Sequence, residues 1–450
     1  MNEFEAVVEA VRDRVTPTAA ERERLAAAAA ALRERAEAAI ADLPVDAEVL
    51  QVGSTARGTW LAGDRDIDLF VRFPADLPRD ELEDYGLRVG HAVLPSGHEE
   101  FAEHPYVKGE FEGFAVDCVP CYAVESAAGI KSAVDRTPFH NEYVADRLTD
   151  NLAGDVRVAK AFLKGIGAYG SDLRTRGFSG YLTELLVLEF GGFRPLVEAA
   201  ADWHPPVEFD PETHGRKTFA DPLTVIDPTD PDRNVAAALS PANLARFQHY
   251  ARALLADPSP ELFEPREPAP LSAAAVSEAV TARASTPVAL RFSPPDVVDD
   301  QLYPQLDKSL DGIAGELDRR GFEVLRTARF ADETAVLLVE CAVATLPAIE
   351  SHTGPPVGVR AHAEGFFEKY AADPEVTGPF IEGDRYVVER PREVRTPREL
   401  LVSEALFQVS LGAHVERALE EGYEVLVGEG LSALADEFGA ELAAYFDPVP

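Results

Sequence analysis

Among its charged residues this chain has least of lysine. Of 42 basic residues in 450, seven are Lys and 35 are Arg, against 79 Asp and Glu, which leaves a formal charge of −37. A surface so acidic and so poor in Lys suits very concentrated salt, where the Debye length is about 3 Å at 1 M and self-repulsion is screened. The acidity therefore excludes little about partners, and local basic patches carry that information instead. Only three cysteines are present, Cys118, Cys121 and Cys341, too few for a disulfide framework. Cys118-Val-Pro-Cys121 fits C-x-x-C but has no second pair, so core thiols are the reading over zinc or redox use. Long apolar runs are missing as well. The longest, 25–32, is mostly Ala between arginines, far short of the roughly 20 residues that span a bilayer. The first residues, MNEFE, are acidic where a signal peptide would be basic, so the expected location is the cytoplasm. What is not missing is core-forming material: 46% of the residues are apolar, which excludes a disordered chain and suits several domains.

The most informative stretch is GSTARGT at 53–59 followed by DRDIDLFV at 64–71. From Asp66 onward the pattern is that of a strand, whose alternate side chains face opposite ways, so Asp66 and Asp68 project together while Ile67, Leu69 and Val71 turn into a core. Two carboxylates on one face repel each other, and a divalent cation between them is the usual remedy. Mg²⁺ takes hard oxygen ligands and leaves the rest of its shell to water and substrate phosphates. Upstream, VLQV at 49–52 reads as a strand entering Gly53 and Ser54, a small-residue turn that aims backbone N–H groups at an anion. For D-x-D alone the competing reading is a solvated strand edge, and the nearby Gly-Ser turn weighs against it. Asp117 supplies a third acid, because it interrupts the apolar strand FAVDCVP at 114–120 and a lone buried carboxylate would be costly. The combination suggests chemistry on a nucleoside triphosphate.

Taken in order, Thr18-x-x-Glu21 opens a long helix to about residue 41. A small α/β domain with the three acids on neighbouring strands occupies 1–150. A mostly helical block follows at 151–257, with acid-rich loops running to Pro231 and a helix at about 241–256. Prolines at 258, 260, 265, 268 and 270 mark a linker. The rest, 258–450, reads β-α-β-β, half of a ferredoxin-like or RNA-recognition-type fold, with an insertion that holds a helix at 360–370 and a hairpin near 385–389. Thr396-Pro-Arg-Glu399 opens a further helix. Within 385–398 the five arginines Arg385, Arg390, Arg392, Arg395 and Arg398 meet two glutamates, a local balance of +3. Such a patch is either a solvated hairpin or a contact to a phosphate backbone.

With these residues in view, the sequence resembles the archaeal CCA-adding enzymes, the class I tRNA nucleotidyltransferases. The likeness rests on Gly53-Ser54-x-x-Arg57, Asp66-x-Asp68, AEHPYV at 102–107, Asp117 with VPCY at 119–122, and IKSAVDRTPFH at 130–140. It continues through RGFSGY at 176–181, DRNVAA at 232–237 and PDVVDDQLYPQL at 295–306. It implies an α+β multidomain fold: a nucleotidyltransferase palm with a mixed sheet and helices, a mostly α central domain, and a ferredoxin-like C-terminal domain with an inserted tail. It implies template-independent addition of C, C and A to the tRNA 3′ end from CTP and ATP, with two Mg²⁺ ions held by Asp66, Asp68 and Asp117. At the first of these positions the family commonly has Glu. Gly53, Ser54, Arg57, Thr137, His140, Lys160 and Tyr169 match nucleotide-binding positions, and Arg233 matches the residue that reads the base. Without the likeness, His140 reads equally as a loop histidine and Tyr169 as a core aromatic. Lys160 stands out unaided, since it and Lys164 lie one turn apart in a chain that has otherwise given up lysine. The C-terminal part, with the five arginines, would grip the acceptor stem and TΨC arm, and two copies would pair. The competing readings are a poly(A) polymerase or other terminal nucleotidyltransferase of the same superfamily, and a tRNA-binding protein without chemistry.

Overall fold

Two capping boxes start the chain's first helices. Asn2 and Glu5 exchange side-chain and backbone hydrogen bonds to open α1 (Glu3–Val15), and Thr18 and Glu21 do the same for α2 (Ala19–Ala41). The structure is a computed structural model that describes residues 2–101 and 103–450, so Met1 and Ala102, which opens one of the motif segments, lie outside the described residues. It divides into a unit that ends at Arg266 and a second unit, Glu267–Val449.

In the first unit, β1 (Glu48–Val52) runs into the single-turn helix α3 (Gly53–Arg57), and β2 (Asp66–Pro74), α4 (Arg79–Val93), β3 (His98–Phe101), β4 (Pro105–Phe111) and β5 (Phe114–Ala123) follow. They form one mixed sheet in the order β1-β2-β5-β4-β3, in which β2 and β5 are parallel neighbours and the other pairs are antiparallel. One sheet face is covered by α2 and α4, through a core of Ile67, Leu69, Val71, Val116 and Cys118 against Leu32, Leu82 and Val89. Both Cys118 and Cys121 are buried free thiols, as is Cys341.

The helical block comprises α5 (Thr137–Arg147), α6 (Asp150–Gly165), α7 (Gly180–Phe190), α8 (Phe193–Ala201), β6 (Val207–Phe209), β7 (Leu223–Asp227), β8 (Asp230–Asn234) and α9 (Pro241–Ala256). Its aromatic core, centred on Phe162, takes in Phe4, Val11 and Val15 from α1, so the chain's first helix packs with the second block and not with the sheet. Phe263 joins the same core beside Phe162 and Phe193, which carries the unit past residue 257 to Arg266. One expectation needs correction. The stretch before Pro231 is not loop throughout: β6, β7 and β8 form a small sheet there. Pro222, Pro228 and the acidic hairpin hide five buried residues, Leu223 to Asp227, that read as strand only once their burial is known.

The second unit holds α10 (Ala273–Arg283), β9 (Thr286–Phe292), α11 (Asp299–Arg320), β10 (Val324–Ala331) and β11 (Ala335–Cys341), then β12 (Ile349–Pro356), α12 (Arg360–Ala371), β13 (Thr377–Glu382) and β14 (Arg385–Pro391). It ends with α13 (Pro397–Leu401), α14 (Ala413–Glu421), β15 (Tyr423–Val427) and α15 (Ala435–Phe446). The antiparallel order β10-β11-β9-β15 completes the ferredoxin-like pattern. The insertion is a second sheet, β12-β14-β13, with α12 against it. Thr396 does cap α13 with Glu399, but that helix stops after five residues. An RNA-recognition sheet stacks bases on an open face. Here α11 and α14 cover one face, while α10 and α15 close the other through Val276, Phe438 and Leu442 on Ala289, Val336 and Leu338. No helix among the described residues is long and apolar enough to cross a membrane.

Candidate active site

Strand β2 carries two of the three expected acids and β5 the third. Asp68 lies directly opposite Asp117 in the parallel register, and Asp66 sits two residues back on the same face of β2. Burial, then the Asp117 and Asp66 carboxylates, push Asp68 up to about 6 against the pull of Arg57 and Lys108. Burial raises Asp117 as well, opposed by Lys108, its cross-strand neighbour on β4. Lys108 stands 3.7 Å from Glu100, whose carboxylate also accepts from the Tyr106 hydroxyl at 2.8 Å. Nothing in the spacing singles out Lys108 or Glu100; only the register does. Among the described residues no three His, Cys, Asp or Glu side chains are gathered into a ready metal cage. What the aspartates do offer is a set of hard oxygen donors on one face, short of positive charge. That is the donor chemistry Mg²⁺ takes.

Gly53 makes this face possible. Its φ is +80°, a conformation that side-chain-bearing residues rarely adopt. A Cβ there would also stand 2.1 Å from Asp68 Oδ2, so the turn presses its backbone against the carboxylate. Ser54 follows in the first turn of α3, and Arg57 closes it.

Arg57 and Lys160 come together, but through a group that the motifs do not announce. Glu184 on α7 is fully buried and takes Arg57 Nη2 at 2.7 Å, Lys160 Nζ at 3.6 Å and the Thr59 hydroxyl. Arg57 also donates to Asn141 Oδ1 at 3.0 Å, and Lys160 to the Thr59 carbonyl at 3.1 Å. Burial pulls Lys160 down, with Glu184 pulling the other way. Tyr169 is beside them: a Cβ on Gly180 would meet its hydroxyl at 3.1 Å and Lys160 Nζ at 3.8 Å. Glu184 was beyond sequence reasoning, since an acid within the apolar run LTELLVLEF carries no spacing that points to Arg57, 127 residues away.

Thr137 and His140 sit in the first turns of α5. Buried Asp135 pins the approach to that helix by accepting the N–H groups of Tyr122, Lys131 and Ser132, each at 2.8 Å. His140 stacks on Tyr181, with ring centroids 4.0 Å apart. Its Nε2 faces Asp227 Oδ2 at 2.8 Å, and Arg233 Nη1 reaches the same oxygen at 2.7 Å. Burial pushes Asp227 up, but His140, Thr229 and Arg233 outweigh it and hold the carboxyl well below the usual range. His140 and Arg233 both line a cavity of about 1150 Å³, with Arg136, Arg216 and Lys217 among its other basic residues.

In the second unit the five arginines are less free than their count implies. Arg390 and Arg392 share Glu350 on β12, at 2.8 and 3.5 Å, Arg385 donates to the Gly354 carbonyl, and Arg395 to that of Leu346. Arg385, Arg395 and Arg398 are exposed.

Comparison with known proteins bears on all three parts of the chain. Residues 32–140 match the family described as nucleotidyltransferase domain, 154–264 that described as tRNA nucleotidyltransferase, second domain, and 283–428 that described as CCA-adding enzyme, C-terminal domain. The CCA-adding enzyme of Haloarcula marismortui is 64% identical and that of Halorubrum lacusprofundi 61%, each over the whole of both chains. The CCA-adding enzyme of Methanoregula boonei is 44% identical over 96% of this chain and 93% of its own. On likeness of this extent and depth, the chain belongs to the CCA-adding enzymes and is a tRNA nucleotidyltransferase.

Proposed function

We propose that the chain completes tRNA 3′ ends by adding C, C and A in turn from CTP and ATP, with release of pyrophosphate, and that Asp66, Asp68 and Asp117 hold two Mg²⁺ ions for this transfer. The observation that carries the reading is the register of β2 on β5, which sets three carboxylates on one face with less positive charge, from Arg57 and Lys108, than would balance them. Metal ions bound there would make the attacking hydroxyl more acidic and offset charge on the leaving pyrophosphate. Asp66 is the shorter stand-in for the family's Glu, on the exposed end of β2.

The remaining roles fall to the chain's own groups. Gly53 and Ser54 bring backbone close to the carboxylates, and Arg57, Lys160 and Tyr169 supply the charge and hydroxyl for the triphosphate from around Glu184. Thr137 and His140 complete the nucleotide pocket from α5. Arg233 donates but cannot accept, so it reads acceptors on cytosine O2 and N3 or adenine N1, whereas G or U would leave groups unpaired. In the second unit the exposed Arg385, Arg395 and Arg398, with the part-buried Arg390 and Arg392, would meet the backbone of the acceptor stem and TΨC arm. Binding by shape suits a chain built for strong salt, where counterion release weakens. Two copies pairing in solution is part of the same reading, which sedimentation tests.

Incubation with tRNA lacking its 3′ end and with each nucleotide alone or combined tests the proposal. Addition that stops after C, C and A supports it. Long A tails would make the protein a poly(A) polymerase instead, and binding without incorporation would make it a tRNA-binding protein.

A further inference from the structure

The buried Asp227 belongs to none of the expected site residues, yet it joins two of them. It ends β7 with no exposed surface. Its Oδ2 takes His140 Nε2 at 2.8 Å and Arg233 Nη1 at 2.7 Å, and its Oδ1 takes the backbone N–H and the hydroxyl of Thr229, each at 2.9 Å. Each carboxylate oxygen therefore serves two donors, and one carboxylate fixes a helix residue and a hairpin residue 93 positions apart as a single array. His140 is held on its other side by the Tyr181 ring, 18° from coplanar. Arg233 is not closed in: its side chain is 37% exposed, and it and His140 line the same cavity. A guanidinium has five N–H donors in a rigid fork, so fixing one arm sets the direction in which the rest point.

We propose that Asp227 is a positioning residue for nucleotide choice, which aims Arg233 into the cavity without touching the nucleotide itself. The proposal rests on the reading that Arg233 meets the incoming base. If the fork's direction is what discriminates, loosening it costs selectivity first, because a swivelling Arg233 finds an acceptor on the wrong base as readily as on the right one. Asp227→Asn is the appropriate change. It keeps the shape but replaces one acceptor oxygen with an NH₂ donor, so one of the donor pairs loses its partner.

The test measures kcat/KM for all four nucleotides on tRNA lacking CCA and on tRNA lacking only A, with tRNA affinity alongside. Asp227→Asn should lower the preference for CTP over UTP, and for ATP over GTP, by about tenfold or more, with tRNA affinity little changed. Thr229→Val, which removes one bond to the carboxylate, should lower the same ratios by about two- to fivefold. Adding Asp227→Asn to Arg233→Ala should cost no further selectivity, since the positioned group is gone. An equal loss for all four nucleotides, or unchanged ratios, overturns the proposal, and so does a loss in the double variant that adds to that of Arg233→Ala. Should Asp227→Asn not fold, unchanged ratios in Thr229→Val overturn it alone. Unchanged ratios in Arg233→Ala place the failure in the base-reading assignment; altered ratios there and none in Asp227→Asn place it in Asp227.

Discussion

Asp68 and Asp227 are two inward-facing aspartates in one folded unit, and their surroundings push them in opposite directions. At Asp68 burial is joined by two more carboxylates, and the group rises to about 6. At Asp227 burial is outweighed by His140, Thr229 and Arg233, and the group falls well below its ordinary 3.8. Desolvation alone does not decide what a buried acid does; the count of donors around it does. Asp227 already has its partners, whereas Asp68 faces Asp117 across the sheet and lacks them. One is built into the scaffold and the other is left wanting charge, which is the difference the proposed cation site relies on.

The largest effects should come from breaking the unsatisfied member. Asp68→Ala and Asp117→Ala should each lower single-turnover nucleotide addition by about a thousandfold or more, because each removes an oxygen donor on which the proposed metal site depends. Full activity in either would remove the basis for the three-acid site. Asp68→Asn should lose activity similarly and yet gain stability. In the absence of divalent cations it relieves like charges directly opposite each other, worth about 1 kcal/mol, and the midpoint of chemical unfolding should rise. A fall in that midpoint would mean that the carboxylates are already balanced and that the comparison with Asp227 is misdrawn.

Glu184 sharpens the contrast from the satisfied side. It is buried against Arg57, Lys160 and Thr59. Glu184→Gln leaves two cations sharing one neutral amide, and breaking a buried pair from one side costs about 3–5 kcal/mol. Unfolding in molar salt should show a loss in that range together with weaker triphosphate binding. A loss under about 1 kcal/mol would indicate that water or an anion reaches the pair.

These three acids also mark how far the sequence could be read. Asp66, Asp68 and Asp117 were legible because strand alternation and one interrupted apolar run are local signals, and β2 and β5 do place them together. The β-α-β-β half of the ferredoxin-like order was legible for the same reason, since β9, α11, β10 and β11 each have their own period, whereas the fourth strand, β15, was not read. Glu184 and Asp227 were not. Their farthest partners lie 127 and 87 residues away, and no local pattern distinguishes an acid that will be surrounded by donors from one on a solvated face in a chain with 79 of them. The β6–β8 sheet was missed because its strands are three to five residues long and edged by proline. That α1 packs on the helical block depends on contacts across more than a hundred residues, which helix periodicity does not encode.

The smallest effect is in acid, and there the two aspartates should differ in sign. A carboxyl depressed in the folded state adds stability that is fully present above its unfolded value and is lost as pH falls through the folded one. Asp227 therefore supports the fold from neutral pH down to about pH 4, and its contribution, about 1–3 kcal/mol, fades below that. Asp227→Asn has no such contribution to lose. Whatever its stability at pH 7, it should decline less steeply than the parent between about pH 4 and pH 2 when both are unfolded by denaturant in molar salt. The comparison must be of slopes, because the amide also disturbs the donors at every pH. Parallel slopes would show that His140 and Arg233 do not hold the carboxyl down, and that the array they form with it is looser than the distances of 2.8 and 2.7 Å imply.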